Sequence, residues 1–102
     1  MISSVQHLMS FVAVAETGTI AEAGAVLNYS PSTIILHVQA LERDLDLRLL
    51  ERSGRTLDLT TAGQRLVVPA RLSLLSIEVL QDIARSCRVN PLHRRTAGGQ
   101  GS

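Results

Sequence analysis

A chain of 102 residues with 45% apolar content has room for one small domain, close to the lower size limit for an independent core. Phe11 and Tyr29 are its aromatic residues and Cys87 its one cysteine, so an aromatic-rich core and an internal disulfide framework are both excluded, and Leu, Ile, Val and Ala must build the interior as they do in packed helices. The formal net charge is only +1, yet all 10 Lys+Arg positions are arginine and none precedes Arg43, so any phosphate contact must come from Arg43 onward, where Arg43, Arg48, Arg52, Arg55, Arg65 and Arg71 cluster. Residues Met1 to Ser10 carry no basic segment, and no apolar run is long enough for a bilayer. The expectation is a soluble chain without a signal peptide or membrane span, working in a reducing cytoplasm.

Four segments have helical period. Val5 to Glu16 sets Leu8, Phe11, Val12 and Ala15 on one stripe, with Gly18 as the terminating glycine. Thr19 to Leu27 predicts a short helix with Ile20, Ala23 and Leu27 inward, and Asn28-Tyr29 as the turn that follows. Gly24 within it is a helix defect of about 1 kcal/mol. Ser30 is placed to cap a third helix with Pro31 at its first position; Ile34, Val38, Leu41 and Leu45 then make one buried stripe.

Leu49-Leu50-Glu51 and Leu57-Asp58-Leu59 read as short strands joined through Arg52 to Thr56, with Gly54 in the turn. A last helix begins at Thr60 or Thr61 and runs to about Arg88, with Pro69 inside it. Residues 89–102, with Asn-Pro, His-Arg-Arg and a Gly-rich end, read as a disordered tail.

Helix, short helix, capped helix and hairpin, in that order, predict a mainly all-α winged helix-turn-helix with a small β-hairpin wing and a long C-terminal helix. The division expected is 1–61 for the winged domain, with the helix-turn-helix at about 20–39, and 62–88 for a linker and dimerisation helix.

The strings Ala23-x-x-x-Leu27, Ser30-Pro31-Ser32-Thr33-Ile34, Val38-x-x-Leu41-Glu42-x-x-Leu45, Leu49-Leu50-Glu51-Arg52, Arg55 and Leu59-Thr60-x-Ala62-Gly63 resemble the N-terminal domain of LysR-type transcriptional regulators over about residues 5–85. That resemblance implies a homodimeric, sequence-specific DNA binder whose third helix reads the major groove, whose wing touches the backbone and whose linker helix pairs two chains. It also implies an effector-binding domain beyond this chain's last residue. A stand-alone domain and a truncated gene product are both open, with truncation the expectation, and no effector is expected to bind this chain. Ile35 stands where the family commonly has Ser, and Leu36 where it often has Arg.

On the third helix, Ser32, Ile35, Leu36, Gln39 and Arg43 share the stripe opposite the buried one. Ser32 and Thr33, with the free N–H groups of the first turn, suit a phosphate or base edge; Gln39 suits adenine, an apolar side chain can meet a thymine methyl, and Ser30, Pro31, Ile35 and Leu36 complete the DNA-binding candidates of this helix. For an isolated helix the same residues would read as a solvated face. Arg52 and Arg55 flank the wing turn and are candidate phosphate contacts, against a surface ion pair of Arg52 with Glu51 or Asp58.

The last helix is apolar on two sides: Leu66, Ala70, Leu74, Ile77 and Leu80 on one, and Val68, Leu72, Leu75, Val79 and Ile83 on the other. The first can cover the winged domain, so Leu72, Leu75, Val79 and Ile83 are the dimerisation candidates. His7, His37, His93 and Cys87 show no metal spacing, and His37 reads as solvent-exposed or close to phosphate. No nucleophile–base pair is present, so neither an enzyme nor a cofactor is expected. Two functions remain: a LysR-type regulator that binds double-stranded DNA as a homodimer, and a truncated dimerisation remnant with weak or no specific DNA binding, which the apolar Ile35 and Leu36 motivate.

Overall fold

The computed structural model describes residues 1–54 and 56–89, in the order α1 (Val5–Thr17), α2 (Ile20–Leu27), α3 (Pro31–Leu45), β1 (Leu50–Ser53), β2 (Thr56–Leu59) and α4 (Thr61–Val89). This is the mainly helical winged helix-turn-helix with a long last helix that the sequence pattern predicts. Helix α1 starts at Ser4, whose side chain accepts the Gln6 N–H, and stops at Gly18 in the left-handed region (φ 89°). Its buried surface is wider than the expected stripe. Ser10 to Val14 are all buried, while Ala15 is only half-buried. The reason is that α2, α3 and α4 all pack against this one helix.

Thr19 caps α2 by accepting the Glu22 N–H at 3.0 Å, and Ala23 is fully buried beneath it. The turn follows at Asn28, whose φ of 61° lets the chain reverse into α3. Gly24 needs a different account from a helix defect. A Cβ there would lie 2.5 Å from the Tyr29 carbonyl oxygen, so the missing side chain is what lets the turn fold back over α2.

In α3, Ser30 accepts the Thr33 N–H and Pro31 occupies the first turn, where its absent N–H leaves no bond unmade. Ile34, Val38 and Leu41 are buried against α1, and Leu45 packs at the edge of the same cluster. The strands reach closer to the wing tip than expected: Arg52 and Ser53 belong to β1, Thr56 to β2. The antiparallel register is Leu50↔Leu59, Glu51↔Asp58, Arg52↔Leu57 and Ser53↔Thr56. Leu49, by contrast, lies outside the strand and is fully buried.

Thr60 joins wing to helix. Its hydroxyl donates to the Arg48 carbonyl at 2.6 Å and accepts the Gly63 N–H at 3.0 Å, which caps α4. Gly63 passes so close to the Leu49 carbonyl that no Cβ would fit. Helix α4 continues through Pro69, and Leu66, Val67, Ala70 and Leu74 pack onto the core. Arg71 and Glu16 form an ion pair at 2.9 Å that ties α4 to α1.

Leu80, expected on the core-facing side, is instead exposed. A helix of 29 residues is about 43 Å long and outruns the body it starts on, which gives the molecule extents of 60 × 26 × 19 Å. Val89 is the last helical residue, one beyond the expected end of the helix, and residues 90–102 of the expected tail lie outside the described residues. Among the described residues no helix is long and apolar enough to cross a membrane.

Candidate nucleic-acid interface

The α3 face opposite Ile34, Val38 and Leu41 is solvent-exposed at Ser32, Ile35, Leu36, Gln39 and Arg43. Ile35 is 42% and Leu36 63% exposed, high values for aliphatic side chains in the middle of a helix. Ser30 and Pro31 are exposed at its start. Thr33 is half-buried, and both its polar groups are engaged: its N–H reaches the Ser30 hydroxyl at 3.2 Å and its own hydroxyl meets that of Ser30 at 2.9 Å. Ile34 N–H already bonds the Ser30 carbonyl at 3.1 Å. Of the expected free N–H groups, only that of Ser32 has no partner among the described residues. Ser30 and Thr33 are therefore occupied chiefly with starting the helix.

A groove runs between α3 and the wing. Ile35 and Gln39 line it on one side, Arg48, Leu50, Arg52 and Leu57 on the other, with Ile20 of α2 at its end. The structure thus brings together Ile35, Gln39 and Arg52, which are up to 17 positions apart in the chain. Ser32 and Leu36 lie outside this groove, on the same outer face of α3. Strand alternation explains the placement of Arg52. It stands opposite Leu57, on the hairpin face of Leu50, whereas Glu51 and Asp58 pair on the other face. No ion pair of Arg52 with Glu51 or Asp58 forms among the described residues. Glu51 still reaches the rim of the groove and sets one negative charge beside Arg52. Arg55, the other candidate of the wing turn, lies outside the described residues.

Glu42, one of the residues that carry the family resemblance, ties α3 to the start of the wing. One carboxylate oxygen accepts the Leu49 N–H at 2.8 Å and the Leu50 N–H at 3.3 Å, and the Arg48 guanidinium stands 3.5 Å away. Arg48 in turn donates to the Leu50 carbonyl at 3.2 Å. Charge-assisted bonds of this kind, on a carboxylate that is largely buried, fix the start of the wing against the C-terminal half of α3. The sequence signal for Glu42 is its place in the Val38-x-x-Leu41-Glu42-x-x-Leu45 string.

The arginines divide accordingly. Arg48 is committed to Glu42, Arg71 to Glu16 and Arg85 to Asp82. Arg43, Arg52, Arg65 and Arg88 have no carboxylate partner among the described residues, and of these Arg43 and Arg52 border the α3–wing surface.

His37 is half-buried rather than fully solvent-exposed. It lies on the side of α3 that faces α1, with Nδ1 at 2.8 Å from the buried Ser10 hydroxyl and its ring edge-on to Tyr29 at 5.0 Å. The His7 ring lies 5.0 Å from it, and His7 Nδ1 is buried without a hydrogen-bond partner. Burial, and secondarily His7, hold the His37 pKa below its ordinary value. No group of three or more His, Cys, Asp or Glu among the described residues could hold a metal ion.

On α4, Leu72, Leu75, Val79 and Ile83 are between 49% and 60% exposed and form the apolar stripe that the sequence marks for dimerisation.

A short second helix, a capped third helix with an exposed outer face, a braced two-stranded wing and a long projecting helix define the winged helix-turn-helix class. Residues 5–64 match the family model described as bacterial regulatory helix-turn-helix protein, lysR family, and the chain belongs to that family. It is 42% identical over 79 residues to an uncharacterised HTH-type transcriptional regulator of Azotobacter vinelandii, across 78% of this chain and 53% of the relative. It is 46% identical over 66 residues to the transcriptional regulator TcbR of a Pseudomonas species, across 65% of this chain and 22% of TcbR. Among solved structures, the CbnR DNA-binding domain in complex with DNA superposes with a TM-score of 0.75 at 39% identity, over 83% of this chain and 98% of that one. Full-length CbnR bound to its target DNA gives 0.75 at 39%, over 83% of this chain but 30% of that one. The chain therefore spans about half the length of the Azotobacter relative and under a third of TcbR and full-length CbnR. The Azotobacter relative and TcbR are both described as HTH-type transcriptional regulators.

Proposed function

We propose that this chain is the DNA-binding part of a LysR-type transcription regulator, recognising double-stranded DNA by sequence and acting as a homodimer in the cytoplasm. The observation that carries the reading is the shared groove: the outward residues of α3, Ile35 and Gln39, stand beside the free Arg52 of a wing that Glu42 holds in place. Helix α3 reads base edges through Ser32, Ile35, Leu36 and Gln39, Ser30 and Pro31 set its entry angle, and Arg52 contacts phosphate, joined by Arg55 from the turn. The likeness to a DNA-bound CbnR domain supports this reading. Residues 1–61 act as the winged unit and 62–88 as the pairing helix, on which Leu72, Leu75, Val79 and Ile83 meet a second copy, since an apolar stripe this exposed is unfavourable on a lone helix.

Binding to duplex DNA measured across a salt series tests the proposal. Affinity should fall log-linearly with salt, and Arg52→Ala should lower the slope by about 0.9 per chain. A protein that is dimeric by light scattering yet binds no duplex at low salt would instead be the dimerisation remnant. The apolar exposure of Ile35 and Leu36 and the lack of a cation on α3 before Arg43 are what favour that second reading.

A further inference from the structure

The chemistry of α3's outer face narrows which bases it suits. Guanine is most often read in the major groove by a bidentate Arg or Lys, and cytosine by Asp or Glu. Neither kind of residue occurs between Ser30 and Val38, and Gln39 is the one long polar side chain before the carboxylate of Glu42. That carboxylate is already held by Leu49, Leu50 and Arg48. Of the described cations nearest this face, Arg43 lies close to the helix C-terminus, and Arg48 and Arg52 stand across the groove from Ile35 and Gln39, outside the reading helix.

What the centre does present is two aliphatic side chains, Ile35 and Leu36, side by side and exposed, with Gln39 one turn further on. Thymine is the base that offers an apolar group in the major groove, its C5-methyl, and adenine is the base whose N6 and N7 match a carboxamide.

Resting on the DNA-binding reading above, we infer that this chain's recognition helix is a methyl reader: Ile35 and Leu36 select A·T pairs by packing on thymine C5-methyl groups, and Gln39 reads an adjacent adenine. Specificity at these positions comes from apolar burial, so it survives added salt while the phosphate contribution of the wing is screened. The exposed aliphatic pair that weighs against solubility in the free chain becomes covered on the operator.

The test selects binding sites from a random duplex library with the full chain at moderate salt, then compares duplexes in which single thymines are replaced by dU, which lacks only the methyl. Selected sites should hold A·T pairs where α3 contacts them, and each contacted thymine changed to dU should weaken binding about fourfold, the equivalent of one buried methyl. Ile35→Ala or Leu36→Ala should abolish the dU penalty at one position each, while thermal melting shows the variants folded. DNA binding with dU duplexes equal to thymine duplexes, or with G·C pairs selected beneath α3, overturns the inference and leaves the DNA-binding reading standing. No binding to any duplex at low salt overturns both.

Discussion

On α3, Ile34 and Ile35 are the same residue type at neighbouring positions, about 100° apart around the helix. Ile34 is fully buried against α1, whereas Ile35 is 42% exposed over the groove that leads to Arg52. The inner stripe continues through Val38 and Leu41, the outer one through Leu36 and Gln39. Both stripes are partly apolar, so hydrophobicity alone does not say what a residue does on this helix. Phase does. The inner residues hold the three-helix body together, and the outer ones remain available to a partner.

The sharpest way to separate the two faces is by stability. Leu41→Ala leaves a cavity in a close-packed core and should cost about 2–5 kcal/mol in urea unfolding. Leu36→Ala, on the outer face, should stay within about 0.5 kcal/mol of the parent. Equal losses from the two substitutions would mean that the outer face is also packed against something in the folded chain.

A smaller effect tests the turn that sets α3 against α2. Helix propensity alone predicts that Gly24→Ala stabilises the chain by about 1 kcal/mol. The approach of the Tyr29 carbonyl predicts the opposite sign, a loss of about 1–3 kcal/mol, because the turn must open to admit a Cβ. Thermal melting decides between them, and a raised melting temperature would return Gly24 to a simple helix defect.

The smallest effect concerns His37, on the side of α3 that faces α1. The folded chain holds the His37 pKa below the ordinary 6.5, so it resists a proton that the unfolded chain accepts. The contribution of His37 to stability is thus complete above about pH 6.5 and is lost as pH falls below it, through the folded-state pKa. Asp44, whose carboxyl is held below its usual range chiefly by the Ser3 hydroxyl and N–H, adds a further loss in more acid solution. His37→Gln should flatten the fall in stability just below pH 6.5. An unchanged slope would place His37 in solvent, as its helical position alone suggests.

These tests follow the division between what was legible in the sequence and what was not. The helix order, the cap at Ser30, the stop at Gly18, the turn at Gly54 and the inner stripe of α3 are local features, set by neighbours a turn away or less. The outer stripe was equally legible, since a helix fixes both faces at once. Gly24 and His37 read differently from the sequence alone, and Glu42 and Gly63 stand out there only as members of the family-like strings, because their roles depend on contacts between segments. Glu42 binds the N–H groups of Leu49 and Leu50, Gly63 lies beneath Leu49, and Ser10 reaches His37 from another helix. Leu80 went the other way: its periodicity is that of a packed residue, but the body it would pack on ends near Ile77. Periodicity reports a face, and only the tertiary arrangement shows how far that face is covered.

The two faces of α3 are separated by titrating duplex DNA into the isotopically labelled chain and following backbone amide and methyl resonances. The two-faced α3 predicts that Ser32, Ile35, Leu36, Gln39 and Arg52 shift together, and that Ile34, Val38 and Leu41 move far less. Shifts confined to α4, or spread without regard to the two faces of α3, would contradict it.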